Sequence, residues 1–247
     1  MRPLDQLRMP ADPSVIDLLP RVLASLEVDD PAPLLPLAAD GRKYAVPLVP
    51  LPSGLALVIG TSGSTGSAKL AMLTAANVRA AVAATHSTLG GEGLWLLALA
   101  PHHIAGFQVL VRSVLAGTTP VVMDMRQPFT AAGFAAAVAG MPDAARRYVS
   151  LVPAQVARLL GEPIGMDALR SFDAVLVGGA ALPAPLRERL VAAGVRLVTT
   201  YGMSETGGGC VYDGRPLTGV TVTLDADGRI VLGGPMVAAG YLGDREA

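Results

Sequence analysis

The sequence predicts an α/β fold in which parallel or mixed sheets are flanked by helices, with a small β subdomain at the C-terminal end. From Leu55 onward, short apolar segments alternate with alanine-rich helical patterns, which is typical of an α/β domain. After Asp213 the pattern changes, because residues 220–224 and 229–232 flank the turn sequence Asp-Ala-Asp-Gly at residues 225–228. That arrangement predicts a β-hairpin.

Three segments follow one another along the chain. Residues 1–53 are rich in Pro and Asp and predict an irregular arm with a short helix near residues 14–27. Residues 54–212 are expected to form an α/β nucleotide-binding core, and residues 213–247 the β subdomain. The predicted strands of the core are residues 55–59, 94–100, 118–123, 147–152, 173–177 and 195–200. The predicted helices of the core are residues 75–89, 104–116, 130–140, 153–160 and 183–193.

The composition is that of a folded globular protein. The chain has 247 residues, and 51% of them are hydrophobic, which is ample for a core. Its formal net charge is -1 with scattered charges, so the sequence excludes a dedicated nucleic-acid binder. The single cysteine, Cys210, excludes an internal disulfide. Without a signal-peptide pattern or a long apolar run, we expect a cytoplasmic protein with no membrane span.

A glycine- and hydroxyl-rich stretch after the first core strand predicts a phosphate-binding loop. Glycines let backbone N–H groups approach an anion, hydroxyl groups add donors, and a lysine adds positive charge. The alternative interpretation is a flexible Gly/Ser linker. A linker seldom stands between a core strand and a helix, and this stretch lies between the strand at residues 55–59 and the helix at residues 75–89. It fails the Walker A pattern, so a P-loop NTPase is not expected. The candidate phosphate-binding residues are Thr61, Ser62, Gly63, Ser64, Thr65, Gly66 and Lys69.

A second informative stretch, residues 200–209, directly follows the predicted strand at residues 195–200. In a parallel sheet, ligands bind at the carboxyl ends of strands. Tyr201 offers a flat face for a base, Glu205 an oxygen ligand for Mg²⁺, and Thr206 a hydroxyl group for phosphate. The small residues Gly178, Gly179 and Ala180 follow another strand and would let a planar ring lie against backbone, although a plain strand-to-helix turn is an equal alternative.

Other catalytic patterns find little support in the sequence. His102 and His103 are adjacent, and no cysteine or third histidine stands at ligand spacing, so a structural zinc site is not expected. The G-x-S-x-G nucleophile elbow of hydrolases is absent, because the pentapeptide Gly-Met-Ser-Glu-Thr at residues 202–206 ends in Thr206 and not in glycine.

Taken in order, residues 61–69, His103, residues 178–180 and residues 201–206 resemble the signatures of the adenylate-forming superfamily of acyl-CoA synthetases, adenylation domains and luciferases. Within it, the short arm and residues 206–214 are most similar to the o-succinylbenzoate:CoA ligases of menaquinone biosynthesis. The resemblance implies the N-terminal domain of such an enzyme. It also implies ATP-dependent activation of a carboxylic acid to an acyl-adenylate, followed by transfer to CoA.

The resemblance also implies roles for individual residues. The loop with Lys69 would hold the triphosphate, Glu205 would bind Mg²⁺, and Thr206 would touch the α-phosphate. His103 would border the acid pocket. The candidate catalytic residues are therefore Lys69, His103, Glu205 and Thr206. The remaining nucleotide-binding candidates are Gly178, Gly179, Ala180, Tyr201, Gly202, Met203 and Ser204. The remaining acid-binding candidates are Gly207, Gly208 and Gly209.

The chain departs from the family pattern at several points. Ala68 and Leu70 replace the usual proline and glycine of the loop. The ribose-binding Thr-Gly-Asp motif and the C-terminal domain with its catalytic lysine are not in this sequence, so we expect weak or no activity from the chain alone. The alternatives are a fatty or aryl acyl-CoA ligase and a non-catalytic nucleotide-binding module. The sequence does not fix the oligomeric state, and a homodimer is among the alternatives.

Overall fold

A computed structural model describes residues 3–27, 32–41, 43–44, 46, 49–61 and 69–244 of the chain. The strands are β1 (Asp5–Met9), β2 (Leu34–Ala38), β3 (Leu55–Gly60), β4 (Leu70–Thr74), β5 (Leu94–Leu97), β6 (Val121–Val122), β7 (Arg147–Leu151), β8 (Ala174–Val177), β9 (Leu197–Met203), β10 (Gly208–Tyr212), β11 (Arg215–Pro216), β12 (Thr221–Leu224) and β13 (Ile230–Gly233). The α-helices are α1 (Leu19–Ala24), α2 (Ala75–Leu89), α3 (Ile104–Leu115), α4 (Ala131–Ala139), α5 (Pro153–Leu160), α6 (Pro163–Arg170) and α7 (Ala184–Ala192). Two 3-10 helices span Pro13–Leu18 and Ser204–Thr206.

The larger sheet has seven strands in the order β11-β10-β9-β8-β7-β5-β6. Strands β9, β8, β7, β5 and β6 are parallel, whereas β10 and β11 extend the sheet in antiparallel orientation. Strands β5, β7 and β8 are buried almost throughout, and their alternating side chains enter two separate cores, one with α2 and α3 and the other with α4 to α7. Helices on both faces explain why these strands are apolar at successive positions.

The second sheet has the order β1-β2-β3-β4 and corrects two expectations. Residues 1–53 do not form an irregular arm throughout, since β1 and β2 pair in parallel and β2 joins β3. The predicted phosphate loop does not lead from a strand directly into a helix either. It connects β3 to the antiparallel strand β4, whose apolar residues Leu70, Ala71 and Leu73 are buried. The strand was not predicted because this apolar segment is short and directly follows the glycine-rich loop, so its sequence pattern did not stand out.

The predicted helices of the core are confirmed to within two residues, and α2 spans the predicted residues. Its start is fixed by a capping box, in which the Asn77 amide donates to the Thr74 hydroxyl and the Asn77 side chain accepts from Thr74. Helix α6 was not predicted. Strand β6 has two residues where six were expected, because only Val121 and Val122 pair with β5.

The C-terminal part of the described chain contains the predicted hairpin, β12 paired with β13. The segment after β13 returns to β4, where the Met72 amide donates to the Gly240 carbonyl and the Leu242 amide donates to the Leu70 carbonyl. The division into arm, core and β subdomain stays a prediction. None of the helices in the described ranges is both long and apolar enough to cross a membrane.

Candidate functional site

The candidate site lies at the carboxyl ends of the parallel strands of the larger sheet. Because β5, β7, β8 and β9 run in the same direction, the residues that follow them meet at one edge. Two cavities open there. The outer cavity has a volume of about 650 Å³, and the inner cavity, which lies between α3 and the sheet, about 110 Å³. Both are lined in part by Gly179, Thr200 and Gly202, so they adjoin each other.

The outer cavity contains predicted nucleotide-binding residues from two strand ends. Gly179 and Ala180, after β8, and Tyr201 and Gly202, on β9, line it. Tyr201 is 45% exposed, so its ring face is accessible from solvent. A flat aromatic ring beside small residues is suited to a planar base, which agrees with the predicted arrangement.

The turn after β9 holds its shape through its own hydrogen bonds. The buried Thr206 hydroxyl donates to the Gly208 carbonyl at 2.6 Å and accepts from the Met203 amide at 3.0 Å. Ser204 donates its hydroxyl to the Gly60 carbonyl at 3.1 Å, which ties the turn to the end of β3. Thr206, predicted to touch phosphate, therefore uses its hydroxyl inside the turn in this structure.

The inner cavity has a polar feature that the sequence interpretation missed. Gln108 and Arg112 lie one turn apart on α3, line the cavity, and are only 1% and 4% exposed. The Gln108 side chain donates to the Gly207 carbonyl at 2.6 Å, while its own oxygen has no partner among the described residues. The predicted acid-binding residues Gly208 and Gly209 face the same cavity.

Arg112 is a buried cation without an acidic partner in the described part of the chain. Its guanidinium lies 4.7 Å from the centre of the Trp95 ring and 3.5 Å from the Thr85 hydroxyl, and its Nε atom makes no hydrogen bond with the described residues. Among these residues no carboxylate forms an ion pair with it. Burial lowers the pKa of Arg112 and Tyr212 raises it. A guanidinium stays charged even so, and the cavity wall is therefore cationic.

A second charged cluster lies where the predicted phosphate loop leaves β3 and enters β4. The Thr61 amide donates to the Lys69 carbonyl at 2.9 Å, which closes the base of the loop. The Lys69 ammonium is 3.1 Å from an Asp244 carboxylate oxygen and 4.7 Å from the centre of the Tyr241 ring. Tyr241 in turn donates its hydroxyl to Glu205 at 2.6 Å. The structure thus brings Lys69 and Glu205 to the same tyrosine, Lys69 over its ring and Glu205 at its hydroxyl.

Some predicted site residues lie neither in the linings of the two cavities nor in the charged cluster. Residues 62–68, which include the candidates Ser62, Gly63, Ser64, Thr65 and Gly66, lie outside the described residues. His103 precedes α3 as its N-cap residue, is exposed, and packs against His102 with ring centres 4.1 Å apart. It is not among the residues that line the inner cavity.

The sequence itself contains a signal for Gln108 and Arg112. Both are polar, stand four residues apart in a mostly apolar helix, and therefore lie on one face of α3. Tyr241 and Asp244 gave no such signal, because their relation to Lys69 depends on the return of the C-terminal segment to β4.

The cluster around Glu205 suits Mg²⁺ that arrives with a nucleotide. No group of three or more His, Cys, Asp or Glu side chains in the described ranges could hold a metal ion by itself. Mg²⁺ commonly uses one or two protein carboxylates together with water and substrate phosphates. A single carboxylate near a lysine fits that kind of site.

Comparison with known proteins agrees with this geometry. Residues 6–242 match the family described as AMP-binding enzyme. The chain is 46% identical over 241 residues to the probable 2-succinylbenzoate–CoA ligase of Mycobacterium tuberculosis, covering 95% of this chain and 62% of the relative. It therefore spans less than two thirds of that relative's length.

Solved structures share the fold. The o-succinylbenzoate CoA synthetase from Bacillus subtilis in complex with the acyl-adenylate intermediate has a TM-score of 0.69 and 23% identity, over 87% of this chain and 49% of that one. The same synthetase in complex with ATP and magnesium ion has a TM-score of 0.66 and 23% identity, over 86% of this chain and 49% of that one. Since the family match extends over nearly all of the sequence, the chain belongs to the family of AMP-binding enzymes.

Proposed function

We propose that the protein, as part of a chain as long as its relatives, uses Mg-ATP to activate o-succinylbenzoate as an acyl-adenylate and then transfers the acyl group to CoA. The buried Arg112 guanidinium carries this proposal. The proposed substrate has two carboxylates, so one can be activated while the other stays charged. A second carboxylate is the partner that a buried, unpaired guanidinium lacks.

In this proposal, the cluster of Lys69 and Glu205 serves the triphosphate of ATP, and the cavity with Arg112 serves the acid. A carboxylate is already ionised near neutral pH and needs no general base to attack the α-phosphorus. The reaction then depends on alignment and on neutralising the charge that moves to pyrophosphate, for which Lys69 is suited. Glu205 would hold the Mg²⁺ that supplies further positive charge there. Tyr201 and the residues after β8 would hold the adenine.

The relatives support this substrate. The Mycobacterium tuberculosis relative is named as a 2-succinylbenzoate–CoA ligase, and the Bacillus subtilis synthetase was solved with its acyl-adenylate and with ATP and magnesium ion. The alternative within the family, a fatty acyl-CoA ligase, would bury an alkyl chain against Arg112 and leave the guanidinium unpaired. An aryl acid without a second carboxylate would also leave the guanidinium unpaired.

A thermal-shift titration tests the proposal. A ligand that binds only the native state raises the unfolding temperature by mass action. We expect a shift with Mg-ATP that grows with o-succinylbenzoate and does not grow with a long-chain fatty acid. Equal shifts for both acids would contradict the proposed substrate.

The rival outside enzyme chemistry, a non-catalytic nucleotide-binding module, needs a different readout. A chain extended to the length of the relatives should form o-succinylbenzoyl-adenylate and release pyrophosphate from ATP. Binding of ATP without pyrophosphate release by that longer chain would favour the non-catalytic module. The cytoplasmic location and a homodimer stay predictions.

A further inference from the structure

The segment that carries Tyr241 is fixed to both halves of the charged cluster. The Ala238 amide donates to the Glu205 backbone carbonyl at 2.7 Å, and the Leu242 amide donates to the Leu70 carbonyl at 2.8 Å. The first bond fixes the segment to the turn after β9, and the second fixes it to β4, directly after Lys69. The Tyr241 side chain therefore has a defined position relative to both functional groups.

The Tyr241 hydroxyl orients the Glu205 carboxylate. It donates to Oε1 at 2.6 Å, and this charge-assisted hydrogen bond, with burial as a smaller cause, raises the pKa of Tyr241 to about 12. The other carboxylate oxygen makes no hydrogen bond with the described residues, and it can face a metal ion.

The Tyr241 ring restricts the Lys69 ammonium. The Nζ atom lies 4.7 Å from the ring centre, within the distance of a cation–π interaction. The Lys69 side chain is 48% exposed and has four rotatable bonds, so without the ring its end would be less restricted. Its ion pair with Asp244, at 3.1 Å, is half exposed and holds it only weakly.

We propose that Tyr241 is a positioning residue for the Mg²⁺ and triphosphate end of the site, because its hydroxyl holds the metal-binding carboxylate of Glu205 while its ring holds the phosphate-binding ammonium of Lys69. This inference rests on the function proposed above and adds a residue to it. The two parts of the side chain have separate roles, which two substitutions can separate.

The test measures the affinity for ATP by titration calorimetry with saturating Mg²⁺, for ATP with a chelator, and for AMP. Tyr241→Phe keeps the ring and removes the hydroxyl. It should weaken Mg-dependent ATP binding about 10-fold, the lower end of the loss when a partner of a metal ligand is removed. ATP binding without metal should stay unchanged. Tyr241→Leu removes the ring as well and should also weaken metal-free ATP binding about 3-fold.

Neither variant should change AMP binding, since AMP lacks the β- and γ-phosphates. A Tyr241→Phe variant with the wild-type Mg²⁺ dependence would overturn the inference while leaving the proposed function intact. Absence of Mg-dependent ATP binding by a wild-type chain extended to the length of the relatives would overturn both. If Tyr241→Leu fails to fold, the phenylalanine variant still decides the hydroxyl's role.

Tyr148→Phe is the matched control for losing a phenol hydroxyl. Tyr148 lies on β7 and donates to the Leu89 and Gly91 carbonyls at 3.0 and 3.1 Å, outside the linings of both cavities. It should lower the unfolding temperature and leave all three affinities unchanged. A purely structural role for Tyr241 would give the same result as this control.

Discussion

Replacing Arg112 with methionine should change stability and acid binding in opposite directions. Replacing a buried ion pair by apolar side chains of similar volume leaves stability unchanged or raises it by about 1–4 kcal/mol, and Arg112 has no acidic partner among the described residues whose attraction would be lost. Against this gain stands the cation–π contact with Trp95, worth about 2 kcal/mol when desolvated. The 3.5 Å contact with Thr85 is at the limit of hydrogen bonding and adds little. We expect a net gain of about 1 kcal/mol in the free energy of unfolding, a rise of about 2–4 °C in melting temperature.

Acid binding should weaken because the variant cannot pair with the second carboxylate. Loss of one partner of a buried charge pair costs about 2–5 kcal/mol in affinity, so o-succinylbenzoate should bind roughly 100-fold more weakly in the presence of Mg-ATP. The matched ligand is 4-oxo-4-phenylbutanoate, which has the same skeleton without the ring carboxylate. It should bind the wild type and Arg112→Met with similar affinity. Calorimetry with both acids and thermal unfolding of both proteins give all the required values.

Two results would refute this reasoning about Arg112. One is a methionine variant that is less stable than the wild type, which would mean that the guanidinium is a well-compensated part of the core. The other is an equal loss of affinity for both acids, which would mean that Arg112 shapes the cavity and does not pair with the ring carboxylate. Arg112→Lys gives an intermediate case, because it keeps a charge and loses the planar pair of donors.

Three further predictions concern the phosphate end and the sheet edge. Lys69→Ala should weaken ATP binding about 10-fold more than AMP binding by calorimetry, and equal losses would count against contact with the β- and γ-phosphates. Gly202→Ala should lower the free energy of unfolding by about 3 kcal/mol in denaturant titration, because its Cβ would lie 2.0 Å from the Gly208 carbonyl oxygen, whereas Gly140→Ala should change it by less than about 0.5 kcal/mol. Tyr241 has a native pKa of about 12 against an ordinary 10.0, so its stabilising hydrogen bond is fully present below pH 10 and is lost as the pH rises through 12. Stability should therefore fall more steeply over that range in the wild type than in Tyr241→Phe, and parallel curves would contradict the assignment.

Sequence periodicity predicted the helices and strands whose bounds are set by local signals, and missed those set by contacts with distant parts of the chain. Helix α2 was found with its bounds because Thr74 gives a start signal and Gly90 ends it in a left-handed conformation. Strand β4 was missed because five residues beside a glycine-rich loop carry too little pattern to separate a strand from a loop. Its place is set by pairing with β3 and by the distant C-terminal segment, which no local pattern contains.

Candidate site residues could be named from the sequence where they belong to a motif, and not where their contacts come from elsewhere in the chain. Glu205 and Lys69 stood out through their neighbours in sequence. Tyr241 links them across 36 residues in one direction and 172 in the other, and that link exists only in the folded chain. Arg112 could have been noticed as a cation within an apolar helix, yet its lack of an acidic partner among the described residues is visible only in three dimensions.

The glycines on β9 and β10 lie within paired strands next to the cavities, whereas the sequence alone was equally consistent with glycines that only form turns. Gly202 on β9 lies opposite Gly209 on β10, and the inner and outer cavities adjoin along Gly179, Thr200 and Gly202. A Cβ at Gly202 would lie 2.0 Å from the Gly208 carbonyl oxygen, and a Cβ at Gly209 would lie 2.9 Å from the Tyr212 ring. The proposed reaction requires the acid in one cavity to reach the α-phosphorus of a nucleotide in the other, a near-attack distance of about 3 Å. The paired glycines therefore let β9 and β10 pack closely beside the place where the proposed reaction would bring the two substrates together.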